Sequence, residues 1–246
     1  MREEFLRLER LLGEECMARL EGAHVLIAGV GAVGGWALEA LVRSGLGHVR
    51  IVDFDVVMPS NINRQVVAVH SSIGMRKVEA ASRRALDINP MLDIEAVECY
   101  IDDDNVDELV CGMDLVLDCI DSVKSKVALV RSCQKSGTTL MSSMGAALRR
   151  DLGAVRVAPL SKTSGCPLAR SVRRLVRKEG LRDDYLTVYS PEPVVFDYSR
   201  ENEEREDERV KPTLGSMMTV TALFGLSLAH EAIRHIVGPE DFLALH

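Results

Sequence analysis

The 246-residue chain contains no C-x-x-C pair; its six cysteines stand apart at positions 16, 99, 111, 119, 133 and 166. A locally built zinc ribbon and a thioredoxin-type redox pair are both excluded. The opening MREEFLRLER is too charged for a secretory signal, and the apolar run His24–Val30 is too short for one. Without such a signal a disulfide framework is not expected, and the chain reads as a reduced, cytoplasmic protein. Positive charge is also scarce. Lys and Arg number 30 against 37 Asp and Glu, a net charge of −7, which excludes a protein that coats nucleic acid non-specifically. DNA is therefore not expected as a partner, and any RNA contact must come from a local patch. Long uncharged runs are missing apart from Thr213–His230, which carries Gly, Ser and Thr. At about 18 residues it only reaches the lower edge of membrane-spanning length. It is expected as a buried core helix, with no stable membrane insertion. No internal repeat is present.

What the sequence does contain is apolar runs alternating with helical patterns, and its 47% hydrophobic content is too high for disorder. The runs His24–Gly29, Val49–Asp53, Ile94–Cys99, Asp114–Cys119 and Thr139–Ser143 read as strands. Val33–Ser44, Met75–Asn89, Asn105–Val110 and Val123–Ser136 read as helices, ended in three cases by Gly45, Pro90 and Gly137. Such alternation predicts an α/β fold: a doubly wound, mostly parallel, Rossmann-like sheet with ligands at the carboxyl ends of its strands. After Gly145 the pattern changes. Ala154–Ala158 and Leu186–Ser190 read as strands of an antiparallel C-terminal extension, with a basic helix between them. Asp197–Lys211 is a charge run expected as a mobile connector, and a helix over 215–236 returns to the core. One domain is expected, with a nucleotide-binding part at 24–145 and a substrate part at 146–246.

Gly29-Val-Gly31-Ala32-Val-Gly34 follows a strand and opens a helix, the context in which G-x-G-x-x-G signals a phosphate turn. Asp53, at the end of the second strand, can accept hydrogen bonds from ribose hydroxyls. These features do not separate NAD from ATP. The next segment does: Asp53-Phe-Asp55 leads into Ser60-Asn61-Ile-Asn63-Arg64-Gln65, polar and cationic groups that a dehydrogenase does not need there. Lys77 follows on the first turn of the next helix, where its ammonium adds to the helix's positive end on an anion. Asp118-Cys-Ile-Asp121-Ser122 ends the fourth strand at the same edge, supplying the carboxylate that a Mg²⁺–phosphate complex needs.

These motifs (GVGAVG, DFDVV, SNINRQ, Gly74–Lys77 and DCIDSV) resemble those of the ubiquitin-activating-type (ThiF-like) adenylyltransferases. That group includes the sulfur-carrier activators of molybdopterin and thiamine synthesis. The branch of tRNA threonylcarbamoyladenosine dehydratases is similar over nearly the whole chain, through RLLGEE, INRQVVAVHSSIG, DINP, SSMGAALRRD, KTSGCPLAR, VYSPEPV and GSMMTVTALFG. The missing C-x-x-C pairs agree with this branch, because the molybdopterin-type activators usually carry them as a zinc site.

The resemblance implies ATP and Mg²⁺ as cofactors, and a reaction in which ATP activates the threonylcarbamoyl carboxylate before ring closure with net loss of water. Its rival is activation of the carboxyl terminus of a ubiquitin-like sulfur carrier. By the same resemblance, Asp53 holds the ATP ribose and Asn61 and Arg64 hold the phosphates; Lys77 binds phosphate and Asp121 organises the metal. The rest of the implied nucleotide site is Gly29, Gly31, Ala32, Gly34, Asp55, Ser60, Asn63 and Ser122. An arginine near the amino terminus, Arg7 or Arg10, is implied to reach the ATP of a homodimeric partner. Cysteine desulfurase or sulfur-acceptor proteins are further implied partners. Ala32 and Val67 stand where the family usually has Gly and His, which weakens any role assigned to those two positions.

Three other features need a place. Cys166, ahead of the helix that Pro167 can begin, reads either as a low-pKa nucleophile or as a buried loop cysteine. Cys119 and Trp36 read as packing residues. Leu168, Val172, Leu175 and Val176 fall on one face of a helix, and Arg170, Arg173, Arg174, Arg177 and Lys178 fall on the opposite one. That stripe suits a tRNA backbone, or it is a solvated face paired with Asp183 or the acidic run.

Overall fold

A computed structural model describes residues 3–194 and 214–244. Strand residues alternate between two helical layers, as the two-residue period of a strand requires. In β1 (His24–Ala28), Val25 and Ile27 pack into one layer and Leu26 and Ala28 into the other. The first layer holds α3 (Gly34–Arg43), α4 (Lys77–Ile88) and α8 (Met218–Val237). The second holds α5 (Val106–Val110), α6 (Val123–Ser136) and α7 (Pro167–Lys178).

With β2 (His48–Val52), β3 (Asp93–Val97), β4 (Leu115–Asp118), β5 (Thr139–Ser143), β6 (Arg156–Pro159) and β7 (Leu186–Tyr189), β1 forms one seven-stranded sheet in the order β3-β2-β1-β4-β5-β7-β6. All neighbouring pairs are parallel except β6 with β7. The chain winds outward from β1 through β2 to β3, then from β4 to β5. The switch between the two directions lies at the carboxyl ends of β1 and β4, where doubly wound sheets open a crevice.

Some of the expected boundaries move for a clear local reason. Helix α4 begins at Lys77 rather than Met75, because the Met75 carbonyl accepts the Val57 N–H (2.8 Å) and Arg76 bridges Val56. The strand expected from Ala154 begins at Arg156, because the Asp151 side chain accepts the Gly153 N–H (2.8 Å) and winds Leu152–Ala154 into a 3-10 turn. The antiparallel extension reduces to β6 alone, since β7 pairs parallel with β5. The charge run at 197–211 lies outside the described residues.

Helix α8 begins at Met218 rather than at 215, since the Gly215 carbonyl accepts the Leu148 N–H (2.9 Å) before the helix starts. It buries Val220, Phe224, Leu228 and Ala232, as expected of a core helix. It lies close on α3: a Cβ on Gly225 would come within 2.3 Å of the Val33 carbonyl oxygen. Among the described residues no helix is long and apolar enough to cross a membrane. The carboxyl end of α8 is tied to the amino-terminal helices α1 (Leu6–Leu12) and α2 (Glu14–Gly22). Arg19 donates to the Val237 carbonyl and to Asp241 (2.6 Å), and Leu12, Cys16 and Leu20 cluster on Val237. At 20 residues α8 is about 30 Å long, so α1 and α2 lie far from the crevice.

Candidate active site

A cavity of about 380 Å³ opens at the carboxyl ends of the strands around the switch point. Its floor is the turn after β1, with Gly29, Gly31 and Ala32 in its wall. Gly34 does not face the cavity. It lies under the turn, where a Cβ would sit 1.8 Å from the Gly29 carbonyl oxygen, so no side chain fits there.

Asp53, Asp55 and Lys77 form one side of the cavity. Asp53 Oδ2 accepts the Val30 N–H (2.9 Å) and Oδ1 the Asp55 N–H (3.0 Å), so this buried carboxylate fixes the glycine turn as well as facing the crevice. Burial pushes its pKa up, and the Lys77 ammonium and the two N–H groups offset only part of that. Lys77 Nζ donates to Asp55 (2.6 Å) and stands 4.0 Å from Asp53 Oδ1. Asn61 and Arg64 line the facing wall. Asn61 Oδ1 accepts the Met58 N–H (3.0 Å), and Arg64 Nη1 donates to the Ser60 carbonyl and to Asn63 Oδ1, both at 2.8 Å. Ser60 and Asn63 thus hold Arg64 and are not in the cavity wall themselves.

Asp121 and Ser122 close the site from β4. Asp118 is unavailable as a ligand. Fully buried with Lys126, it accepts from the ammonium (2.9 Å) and from the Ser142 hydroxyl, and Lys126 also donates to Ser142 Oγ (3.1 Å) and the Ser143 carbonyl (2.7 Å). The other Asp118 oxygen accepts the Ile120 N–H (3.2 Å), which starts the turn that presents Asp121. Ser122 caps α6 by accepting the Ser125 N–H (3.4 Å), and its hydroxyl meets Tyr100 (2.9 Å).

The charged side chains in the wall are Arg64 and Lys77 against Asp53, Asp55 and Asp121. A polyphosphate entering alone would meet more negative than positive charge, so a divalent cation fits this site. Among the described residues no group of three or more His, Cys, Asp or Glu is placed to hold a metal ion. Mg²⁺ needs no such cage, because one carboxylate with substrate phosphates and water satisfies it, and Asp121 is the residue that would serve.

Several wall residues were given no role by the motifs. Phe54 and Tyr100 meet edge to face, with centroids 5.3 Å apart, and offer a half-exposed aromatic surface. Gln65 is buried in the wall, with Oε1 unpaired among the described residues. Its place directly after Arg64 was the one available signal.

Cys119 is a half-buried wall residue rather than core; burial and the Asp118 charge push its thiol pKa up. Cys166 is buried and caps α7, its sulfur accepting the Ala169 N–H at 3.5 Å, which is the loop-cysteine alternative and not an open nucleophile. Trp36 packs beside the turn and donates to the Arg64 carbonyl (3.2 Å). Val67 is buried in the core. Arg7 and Arg10 are exposed on α1 and do not reach this cavity from their own chain.

The basic stripe on α7 is narrower than expected. Arg173 turns back to the Thr163 carbonyl (2.9 Å) and hydroxyl, and Arg177 pairs with Asp183 (2.7 Å). Arg170, Arg174 and Lys178 remain exposed at four-residue spacing, one row along the helix.

The ThiF family matches residues 5–244. The chain belongs to this family. Over 243 residues it is 34% identical to the tRNA threonylcarbamoyladenosine dehydratase of Bacillus subtilis, with 96% of each chain covered. It also superposes on the crystal structure of Escherichia coli tRNA N6-threonylcarbamoyladenosine dehydratase in complex with ATP, at 29% identity and a TM-score of 0.87. That match covers 99% of this chain and 97% of the other. A molybdopterin-synthase adenylyltransferase of Haemophilus influenzae is 34% identical over 163 residues, covering 66% of this chain and 65% of that protein. Similarity therefore runs along the full length with the dehydratases and along about two thirds of the chain with the molybdopterin-synthase adenylyltransferase.

The Lys126–Asp118 pair makes a direct prediction. Lys126→Ala leaves a buried carboxylate without its cation and is expected to lower stability by about 3–5 kcal/mol in urea unfolding. A loss below about 1 kcal/mol would show that Asp118 does not depend on the ammonium.

Proposed function

We propose that this chain is an ATP-dependent tRNA threonylcarbamoyladenosine dehydratase that works by adenylating a carboxylate. The observation that carries the reading is the full-length match to dehydratases, one of them solved with ATP, together with the polar cavity at the switch point. In the reaction a carboxylate oxygen of the threonylcarbamoyl group attacks the α-phosphorus of ATP, and pyrophosphate leaves. A nitrogen or oxygen of the same modification then attacks the acyl carbon, AMP departs with the former carboxylate oxygen, and a proton is released. No enzyme nucleophile is required. The protein contributes position and charge.

Asp53 takes the ribose, and Asn61, Arg64 and Lys77 take the phosphates, with Gly29, Gly31 and Ala32 allowing their close approach. Asp121 holds Mg²⁺, whose charge offsets that of the phosphates. The nucleotide part is 24–145 and the RNA-facing part 146–246, a division within one domain of a cytoplasmic enzyme. On α7, Arg170, Arg174 and Lys178 are exposed cations without an ion-pair partner among the described residues, and they meet tRNA phosphates. The active form is a homodimer in which Arg7 or Arg10 completes the neighbour's site, a role supported by their distance from the crevice of their own chain.

The test is mass spectrometry of tRNA nucleosides after incubation with ATP and Mg²⁺, where the modified adenosine should lose the mass of one water. Asp121→Asn and Lys77→Ala should each slow that conversion by ~10²–10³, the effect of losing one preorganised electrostatic contact. Turnover within twofold of wild type in either variant would remove that residue from the site.

Mixed protomers test the shared site. A dimer that combines an Arg7→Ala, Arg10→Ala protomer with an Asp121→Asn protomer should recover activity in one of its two sites. If the mixture stays as inactive as its parents, each site is complete within one chain.

The stripe is tested by salt. Arg170→Glu with Arg174→Glu should weaken tRNA binding and lower the slope of log K against log salt by about 0.7–0.9 for each lost contact. ATP affinity should not change. An unaltered salt slope would assign the stripe to solvent.

A further inference from the structure

A second cavity, of about 370 Å³, lies beside the first on the same edge of the sheet. Its wall comes from the segment after β5 (Leu148, Arg149, Arg150), from Glu192 after β7, and from Gly215–Met217 at the amino end of α8. Asn63 stands between the two cavities. Its Nδ2 donates to the Ser216 carbonyl (3.1 Å) in the second wall, and its Oδ1 accepts from Arg64 in the first.

Arg149 is the unusual residue here. It is 2% exposed, yet among the described residues Nε and Nη1 have no hydrogen-bond partner, and the acceptor it does reach is the Gly165 carbonyl, 3.3 Å from Nη2. A buried guanidinium ordinarily has its donors filled. The acid in this wall does not fill them, because Glu192 accepts the N–H groups of Arg150 (3.0 Å) and Asp151 (3.1 Å). Those bonds, with the charges of Arg149 and Arg150, hold the Glu192 carboxyl below its ordinary range, so it stays ionised and cannot donate. The backbone is strained at the same place. Leu148 adopts φ +62°, a left-handed conformation a leucine rarely takes, and its N–H is pinned to the Gly215 carbonyl (2.9 Å). The first N–H groups of α8 add a positive end to the same wall, and its N-cap residue Met217 supplies no side-chain acceptor for them.

The geometry points to an oxyanion subsite in this second cavity, with Arg149 as its buried donor, that holds an anionic group of the RNA substrate beside the nucleotide. The ligand is a phosphodiester next to the modified adenosine or the carboxylate awaiting activation. This assignment rests on the dehydratase reading for the identity of the ligand, though not for the existence of the anion site. Its position agrees with a path for RNA. The Gly165 carbonyl bonded to Arg149 directly precedes the cap of α7, the helix that carries Arg170, Arg174 and Lys178.

Arg149→Met tests the subsite, because it removes an unpaired buried charge and keeps side-chain volume. It should fold with a Tm equal to or above wild type. With ATP saturating the first cavity, inorganic phosphate should raise the Tm of wild type and leave that of Arg149→Met unmoved. An equal phosphate response in both proteins overturns the subsite. So does an Arg149→Met protein that loses stability while its KM for tRNA is unchanged, the behaviour of a purely structural arginine.

Binding of modified and unmodified tRNA then identifies the ligand. At least tenfold weaker binding of both by Arg149→Met assigns a phosphodiester, and weaker binding of modified tRNA alone assigns the carboxylate. Unchanged binding of both RNAs overturns the assignment to substrate. If wild type itself binds neither RNA, the dehydratase reading fails, and the phosphate measurement alone decides the subsite.

Discussion

The ion pair of Lys126 and Asp118 is the constraint on which the working edge of the sheet depends. Both charges are removed from water, and the ammonium places its three donors on Asp118, Ser142 and the Ser143 carbonyl. One side chain of α6 thereby fastens the ends of β4 and β5 together. The remaining Asp118 oxygen receives the Ile120 N–H, and from there the chain turns out to Asp121 and Ser122. Replacing such a pair by apolar groups can leave a core as stable, but would not aim the turn. The pair also marks the neighbouring thiols. Burial, reinforced by the Asp118 charge, pushes Cys119 up and raises Cys133 to about 12, so both remain protonated at neutral pH.

A site without a thiolate suits adenylation, in which the substrate brings its own nucleophile and ATP its own leaving group. The protein then has to hold two anionic reactants together in a pocket that excludes bulk water. Asp53 and Asp55 keep Lys77 in place, while Ser60 and Asn63 keep Arg64 in place. Each cation is thus oriented before nucleotide arrives, which is the condition for electrostatic help without reorganisation. The second cavity extends the same logic toward the RNA, since Arg149 lies past β5, on the far side of the switch point from Asp53.

Much of this was legible in the chain. The strand–helix alternation predicted the parallel sheet because apolar runs buried on both faces leave few other arrangements. The glycine turn, Asp53, Asn61, Arg64, Lys77 and Asp121 all converge on one cavity. They do so because the glycine turn, Asp53 and Asp121 follow strand ends, Lys77 opens α4, and Asn61 and Arg64 lie on the loop that joins β2 to α4 at the same edge. The alternatives left open were resolved locally. Asp183 takes Arg177, as one reading of the stripe expected, and the Thr163 carbonyl of the preceding turn takes Arg173, which helical spacing does not show. Cys166 is the buried loop cysteine of its two readings, and it caps α7.

By itself the sequence determined the order of elements, the sheet class, the phosphate turn and the family, because those depend on periodicity and on contiguous motifs. Tertiary structure alone showed that Asp118 is taken up by Lys126 and Ser142, while Asp121 lines the cavity. It also decided that Phe54 and Tyr100 share an aromatic wall and that Arg149 is buried beside α8 with Nε and Nη1 unpaired among the described residues. The physical reason is the same in each case. Burial and pairing are set by partners tens of residues away, and no local spacing encodes whether a charge meets its partner, meets water or is left waiting for a ligand.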